Sequence, residues 1–291
     1  MEIISGTALA KQIRQDLAIE VSQLTRQYGR SPKLAIFLVG EHPASMTYVN
    51  SKVKAAAEVG INCDHFHLPE ATSQEELLAH IRRLNADKET DGILVQLPLP
   101  AHIDTDTTLL SIDPQKDVDG LHIVNVGKLA SGRKAIQACT PRGVISLLKS
   151  ANITIAGKHA VVAGRSNLVG SPMALLLLRE NATVTVCHSK TENIAAHVAQ
   201  ADILVTAMGK TGVITPDMLK PGVVLIDVAM NYDDNGKLRG DVYCQADLPK
   251  LEERVAAASP VPGGVGPMTI ASLLQNTVEI YKDNIRESNI H

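Results

Sequence analysis

Strand-like and helix-like stretches alternate along this 291-residue chain from end to end. That alternation restricts the fold to α/β architecture with a mostly parallel sheet. Leu34 to Val39 is a short apolar run stopped by Gly40, the pattern of a strand buried on both faces. Pro43 suits a first helical turn, and good helix formers continue to Val59 before Gly60 supplies a C-cap. Ile61 to Leu68 is extended in character. Ser73 caps a further helix, with Glu75 and Glu76 in its first turn and an end near Leu84. Gly92 to Leu97 is another apolar strand, closed by Pro98 and Pro100.

After a stretch rich in turn residues, Asp117 to Arg142, a second series begins. His159 to Ala163 reads as a strand, then comes the loop Gly164 to Gly170 and a helical run from Pro172 to Arg179. Thr183 to Cys187, Ile203 to Thr206 and Val223 to Val228 are strand-like, separated by helical connections at Glu192 to Ala199 and Pro216 to Leu219. This order is that of a doubly wound, Rossmann-like dinucleotide-binding domain. The sequence therefore predicts two α/β domains flanking a cleft. The first spans residues 1–140, joined by a C-terminal helix at about 268–291, and the second spans residues 141–267.

Composition narrows the function classes. A net charge of -3 with both signs scattered gives no field to capture nucleic acid or a membrane surface, and 2% aromatic residues with no Trp offer few platforms for base stacking. Cys63, Cys139, Cys187 and Cys244 are widely spaced and form no CxxC pair, and the histidines make no HxxxH cluster, so no metal site is expected. Reduced cysteines, the lack of a charged-then-apolar leader and the shortness of every apolar run point to a cytoplasmic protein.

The loop Ala163-Gly164-Arg165-Ser166-Asn167-Leu168-Val169-Gly170 lies where a strand should turn into a helix. Glycines there let backbone approach a pyrophosphate, and the helix start offers N–H donors to an anion. The spacing departs from GxGxxG, with Ser166 in the place of the second glycine, and taken alone it fits a plain tight turn equally well. The end of the next strand is more informative. An NAD site usually carries an acid there for the ribose 2′-hydroxyl, whereas this chain reads Cys187-His188-Ser189-Lys190. A hydroxyl and a cation, with Arg165 nearby in the loop, suit a 2′-phosphate, which favours NADP over NAD.

In the first series, Tyr48 and Lys52 stand four residues apart on one helix face, beside the apolar stripe Val49, Val53 and Ala56. Gln96-Leu97-Pro98 ends a buried strand, where ligands bind in open α/β sheets. Asp117-Val118-Asp119-Gly120 is either a turn or an acid presented beside a glycine. Pro260-Val261-Pro262-Gly263-Gly264-Val265-Gly266-Pro267 combines stiff flanks with bare backbone, which suits close approach by a flat ligand better than a plain connector.

The ordered set of these segments resembles the bifunctional methylenetetrahydrofolate dehydrogenase/methenyltetrahydrofolate cyclohydrolase family. The matching stretches are Pro43-Ala44-Ser45 with Tyr48, Val49 and Lys52; Val95 to Pro98; Lys116 to Gly120; Cys139-Thr140-Pro141; Gly164-Arg165-Ser166 with Val169-Gly170; His188-Ser189-Lys190; and Pro260 to Thr269. The resemblance implies NADP-dependent oxidation of methylenetetrahydrofolate followed by hydrolysis of the methenyl product, with a tetrahydrofolate-derived substrate and a homodimer formed through the cofactor domain. It makes Lys52 the main catalytic group, with Tyr48 against the folate ring, Gln96 bonded to Lys52, and Asp119 on the pterin's amino edge. It places Val95, Leu97, Pro262, Gly263, Gly264, Val265 and Gly266 along the folate, and Thr140, Gly164, Arg165, Ser166, Ser189 and Met230 at the cofactor. Ala229 and Met230 depart from the glycine and isoleucine usual in the family. Two other classes stay open on the residues alone, an NADP oxidoreductase of small amino or keto acids and a non-catalytic nucleotide-binding protein.

Overall fold

The computed structural model describes residues 1–232, 236–244 and 247–288. In chain order the described elements begin β1 (Glu2–Ile3), α1 (Gly6–Tyr28), β2 (Lys33–Val39), α2 (Pro43–Glu58), β3 (Asn62–Leu68), α3 (Gln74–Ala86) and β4 (Gly92–Val95). They continue α4 (Thr105–Ser111), α5 (Ile123–Ala130), α6 (Cys139–Ser150), β5 (His159–Ala163), α7 (Gly170–Arg179), β6 (Thr183–Cys187), α8 (Ile194–Val198) and β7 (Ile203–Thr206). After a single 3-10 turn at Pro216–Met218 come β8 (Val223–Asp227), β9 (Asn231–Tyr232), β10 (Leu238–Arg239), α9 (Leu248–Leu251), β11 (Val255–Ala258) and α10 (Val265–Ser288). Two compact units result: Gln12–Gln137 with Leu273–His291, called here the lysine unit, and Met1–Lys11 with Ala138–Ser272, called the glycine-loop unit.

In the lysine unit a three-stranded parallel sheet runs in the order β3-β2-β4, with Leu34 opposite both Cys63 and Gly92. The central strand β2 is buried along almost its whole length, which is why it reads as an unbroken apolar run. Helix α3 begins with a capping box in which the Ser73 hydroxyl accepts from the Glu76 N–H and the Glu76 carboxylate accepts from the Ser73 N–H. Its Leu77, Ile81 and Leu84, at helical spacing, pack on Phe37, Val39, Ile93 and Val95. Each such side chain contributes roughly 1.5–3 kcal/mol on burial. The start of β4 is fixed by Asp91, fully buried, which accepts two bonds from the Arg30 guanidinium at 2.7 and 2.9 Å and a third from Asn284 at 2.9 Å. Arg30 also lies 4.6 Å over the Tyr281 ring.

The glycine-loop unit holds a six-stranded parallel sheet in the order β1-β11-β8-β7-β5-β6. Its core is drawn from the inward positions of these strands, among them Val161, Ala163, Leu204, Leu225 and Ala258. The chain reverses its order across β5, with β6 on one side and β7 on the other, which makes the carboxyl end of β5 the switch point where ligands bind in such sheets.

Several elements differ from the sequence expectation. Residues Met1–Lys11 group with the glycine-loop unit, because β1 pairs with β11 and the Ile4 N–H donates to Ala258 O at 2.8 Å. The turn-rich stretch Asp117 to Arg142 contains helix α5, and α6 starts inside it at Cys139. The strand expected to reach Leu97 stops at Val95; the Gln96 N–H still donates to Phe37 O at 2.8 Å, and Pro98, with no N–H, has none to give the ladder. The C-terminal helix begins at Val265, ahead of the expected start; of its expected range, 289–291 lie outside the described residues.

Candidate active site

The lysine unit concentrates its chemistry at the carboxyl end of β4. Pro43 opens α2 at its first turn, and Val49, Ala55 and Ala56 bury one face of that helix. This seats Lys52, 5% exposed, with Nζ donating to Gln96 Oε1 at 3.0 Å and lying 4.7 Å over the Tyr48 ring. Gln96 is itself fixed. Its N–H donates to Phe37 O at 2.8 Å, and its side-chain amide donates to Leu97 O at 2.6 Å. With the amide nitrogen so used, the oxygen is the end that faces the lysine. The structure thus brings Tyr48, Lys52 and Gln96 together, with Val95 buried directly before them and Leu97 directly after.

Asp119 sits in a turn that opens beside β4, because Asp117 bridges Ile93 in parallel. Two further residues hold that turn. Asp117 accepts from the N–H groups of Gly120 at 3.0 Å and His122 at 2.8 Å and from Asn125 Nδ2 at 3.0 Å. Burial pushes its carboxyl upward, and the bonds it accepts oppose that shift. Asn276 on α10 donates to Val118 O at 2.8 Å and Gln137 O at 2.9 Å. Asp117 opens the Asp117-Val118-Asp119-Gly120 turn and finds its partners three to eight residues on, whereas Asn276 acts only through contacts distant in sequence.

In the glycine-loop unit the loop after β5 is tightly specified. Gly164 has φ +128, and a Cβ there would stand 2.3 Å from Ala207 O, so only glycine fits. Its N–H donates to Cys187 O at 2.9 Å, which sets the loop against the end of β6. The Ser166 hydroxyl accepts from the N–H of Val169 at 3.2 Å and of Gly170 at 3.4 Å. That use of its lone pairs leaves the hydroxyl proton to donate to an anion. Arg165, Ser166, Ser189 and Lys190 are all exposed on these two adjoining segments. A turn after β6 carries Ser189: the His188 N–H donates to Thr191 Oγ1 at 2.8 Å, and His188 Nδ1 accepts from the Lys190 N–H at 3.1 Å. Met230 is 57% exposed beyond β8. Thr140 and Thr269 share a hydroxyl bond of 2.9 Å. The bonds before Pro98 and Pro262 are cis, and Gly263 and Gly264 lead straight into α10, whose first turn holds Val265 and Gly266.

A glycine that admits no side chain, an exposed serine at the helix start and exposed cations at a doubly wound switch point place the second unit in the class of dinucleotide-binding domains. The comparisons with known proteins refine that class. Residues 138–285 match the model of the tetrahydrofolate dehydrogenase/cyclohydrolase NAD(P)-binding domain, and residues 4–119 match that of the catalytic domain. The chain is 55% identical over 278 residues to a bifunctional protein FolD of Geobacillus thermodenitrificans, covering 96% of each. It is 52% identical over 289 residues to one of a Sulfurihydrogenibium species, covering 99% of this chain and all of the other. The crystal structure of the bifunctional FolD dehydrogenase/cyclohydrolase of Campylobacter jejuni superposes with a TM-score of 0.93 at 47% identity, over 97% of this chain and 99% of that one. That of Trypanosoma brucei, complexed with NADP cofactor and inhibitor, gives 0.91 at 41% identity over 98% of each. The chain belongs to the tetrahydrofolate dehydrogenase/cyclohydrolase family.

Proposed function

We propose that the protein oxidises methylenetetrahydrofolate to methenyltetrahydrofolate with NADP and then hydrolyses the product to 10-formyltetrahydrofolate. The observation that carries this reading is Lys52, an amine nearly withdrawn from water, bonded at 3.0 Å to an amide oxygen that is itself held in place. A structural lysine would put its ammonium in solvent.

Bound NADP supplies the hydride acceptor. Gly164, Arg165, Ser166, Ser189, Thr140 and Met230 hold it, and the exposed Arg165 with Ser189 and Lys190 favours the 2′-phosphate. Tyr48 packs against the pterin, Asp119 binds its amino edge, and Val95, Leu97 and Pro262 to Gly266 line the folate. Hydride departure builds positive charge on the N–C–N unit, so this chain's contribution to that step is alignment. In the second step a water oxygen adds to the methenyl carbon while Lys52, as the free amine, takes one of its protons. The carbon–nitrogen bond to the ring nitrogen then breaks, and Lys52 returns that proton to the nitrogen. The second water proton leaves to solvent as the carbinol oxygen becomes the formyl carbonyl. Such proton shuttling is worth typically 10²–10⁴-fold in rate.

The unit that binds the dinucleotide also forms a homodimer in this reading, in the cytoplasm; sedimentation of the pure protein is expected to give twice the chain mass. The function itself is tested by adding methylenetetrahydrofolate and NADP and following nicotinamide absorbance, then following methenyltetrahydrofolate decay with no NADP present. Both signals are expected. Absence of the first removes the dehydrogenase, and absence of the second removes the cyclohydrolase.

A further inference from the structure

Beyond β7 and β8 two buried carboxylates hold the backbone of neighbouring segments. Asp227, the last residue of β8, and Asp241 are each 1% exposed. Asp241 Oδ2 accepts from the Met208 N–H at 2.6 Å, and Oδ1 accepts from the Lys210 N–H at 2.8 Å and from Asn231 Nδ2 at 3.0 Å. Its own carbonyl accepts from the Gly212 N–H at 3.3 Å. One residue therefore grips the loop that leaves β7 at three points and the segment that leaves β8 at a fourth.

Asp227 in turn fixes Asp241. Its Oδ1 accepts from the Asp241 N–H at 3.0 Å and the Ala229 N–H at 3.2 Å, and its Oδ2 accepts from the Val242 N–H at 2.9 Å. The approach is so close that a Cβ on Gly240 would stand 2.2 Å from Asp227 Oδ2. The Asp227 N–H meets Ser259 Oγ at 3.3 Å, and the Tyr243 hydroxyl donates to Ser259 O, so the same network reaches the residue before Pro260.

The placement of this network relative to a dinucleotide follows from the sheet. The glycine loop at β5 takes the pyrophosphate, and the two halves of the cofactor extend to either side of it. The ribose-phosphate side would lie at β6, where Ser189 and Lys190 stand, and the nicotinamide half would then lie toward the ends of β7 and β8. The backing is continuous, since Gly164 packs on Ala207 and Met208 hangs from Asp241.

We propose that Asp241, seated by Asp227, is a positioning residue for the nicotinamide half of the cofactor, setting the backbone of residues 207–212 and 229–231 on which that half rests. The assignment deepens the NADP reading given above and depends on it. An aspartate is required because three N–H donors converge on its two oxygens; an asparagine would turn its own N–H₂ toward one of them.

The test uses Asp241→Asn and the milder Asn231→Ala in the full chain, with three readouts: NADP affinity by calorimetry, dehydrogenase turnover, and methenyltetrahydrofolate hydrolysis without NADP. For Asp241→Asn, NADP affinity is expected to weaken by about 10- to 100-fold, the worth of a lost bond to a charged group. Dehydrogenase kcat is expected to fall as well, while NADP-free hydrolysis stays within about twofold of wild type, its step making no demand on the cofactor. For Asn231→Ala, which loses one neutral donor and keeps every backbone bond, NADP affinity is expected to weaken by about 3- to 10-fold. Equal loss of both activities in Asp241→Asn, or unchanged NADP affinity in either variant, overturns the assignment, and Asn231→Ala decides alone if Asp241→Asn fails to fold. Wild-type protein that binds no NADP overturns the reading on which the assignment rests, an outcome distinct from wild-type binding that the variants leave untouched.

Discussion

An ammonium group costs free energy to withdraw from water, and at Lys52 the Gln96 oxygen and the Tyr48 ring face offset that cost. Gln96→Leu keeps the volume and removes the acceptor. We expect this variant to lose about 10- to 100-fold in methenyltetrahydrofolate hydrolysis, with NADP affinity unchanged, because the ammonium formed when Lys52 takes the water proton loses a hydrogen bond worth roughly 1.5–3 kcal/mol. Stopped-flow decay of the methenyl absorbance checks it. The spacing of Tyr48 and Lys52 was legible in the sequence as one helix face, whereas Gln96 as the lysine's partner came only from the family resemblance. Asp227, Asp241 and Asn276 were not legible at all. Their partners lie in other turns and strands, and a single sequence with no pairing information does not bring such residues together.

Among the elements, the parallel strands were the most legible: Ile203–Thr206 forms with the ends the sequence marks because its apolar run is buried throughout, and Thr183–Cys187, an edge strand half open to solvent, is marked by its run of β-branched residues. Helix α5 was hidden by its own content, eight residues with Gly127 inside and turn residues on either side. Helix α1 was legible in principle, because Ala10, Leu17 and Val21 recur at helical spacing and are buried. The Ser73 cap allows a calibrated test: Ser73→Ala removes the capping box and is expected to cost about 1 kcal/mol of lysine-unit stability, read as a lower urea midpoint. The glycine loop allows a functional one. Gly164→Ala forces a Cβ against Ala207 O at a φ of +128 and is expected to cost on the order of 1–3 kcal/mol. It should weaken NADP binding by more than about tenfold, since a displaced loop no longer presents its donors. Calorimetric titration with NADP gives the answer.

For the molecule as a whole, stability should carry the mark of its buried acid. Burial pushes the Asp227 carboxyl from 3.8 up to about 6, with the Asp241 charge adding to the shift and the N–H groups of Val242 and Asp241 opposing it. The folded chain therefore holds this proton more tightly than the unfolded chain does. The stabilising contribution is complete below pH 3.8 and is lost as the pH rises through about 6. Two pH units of differential affinity correspond to roughly 3 kcal/mol. In urea unfolding of the glycine-loop unit, the stability of wild type relative to Asp227→Asn should fall by about that amount across this window and stay flat above it. A flat difference throughout would mean that the carboxyl is ionised at ordinary values. The family, the two α/β units and the cofactor class were readable from the ordered motifs, while the assignment of the first eleven residues was not, because it rests on one short strand pairing with a segment more than 250 residues away.

The central claim is that the Lys52 amine moves the proton during hydrolysis, and the most direct measurement is methenyltetrahydrofolate decay catalysed by Lys52→Met with no NADP present. Turnover is expected to fall by about a thousandfold or more in a variant that keeps the wild-type melting temperature and NADP affinity. Wild-type turnover in that same folded, NADP-binding variant would contradict it.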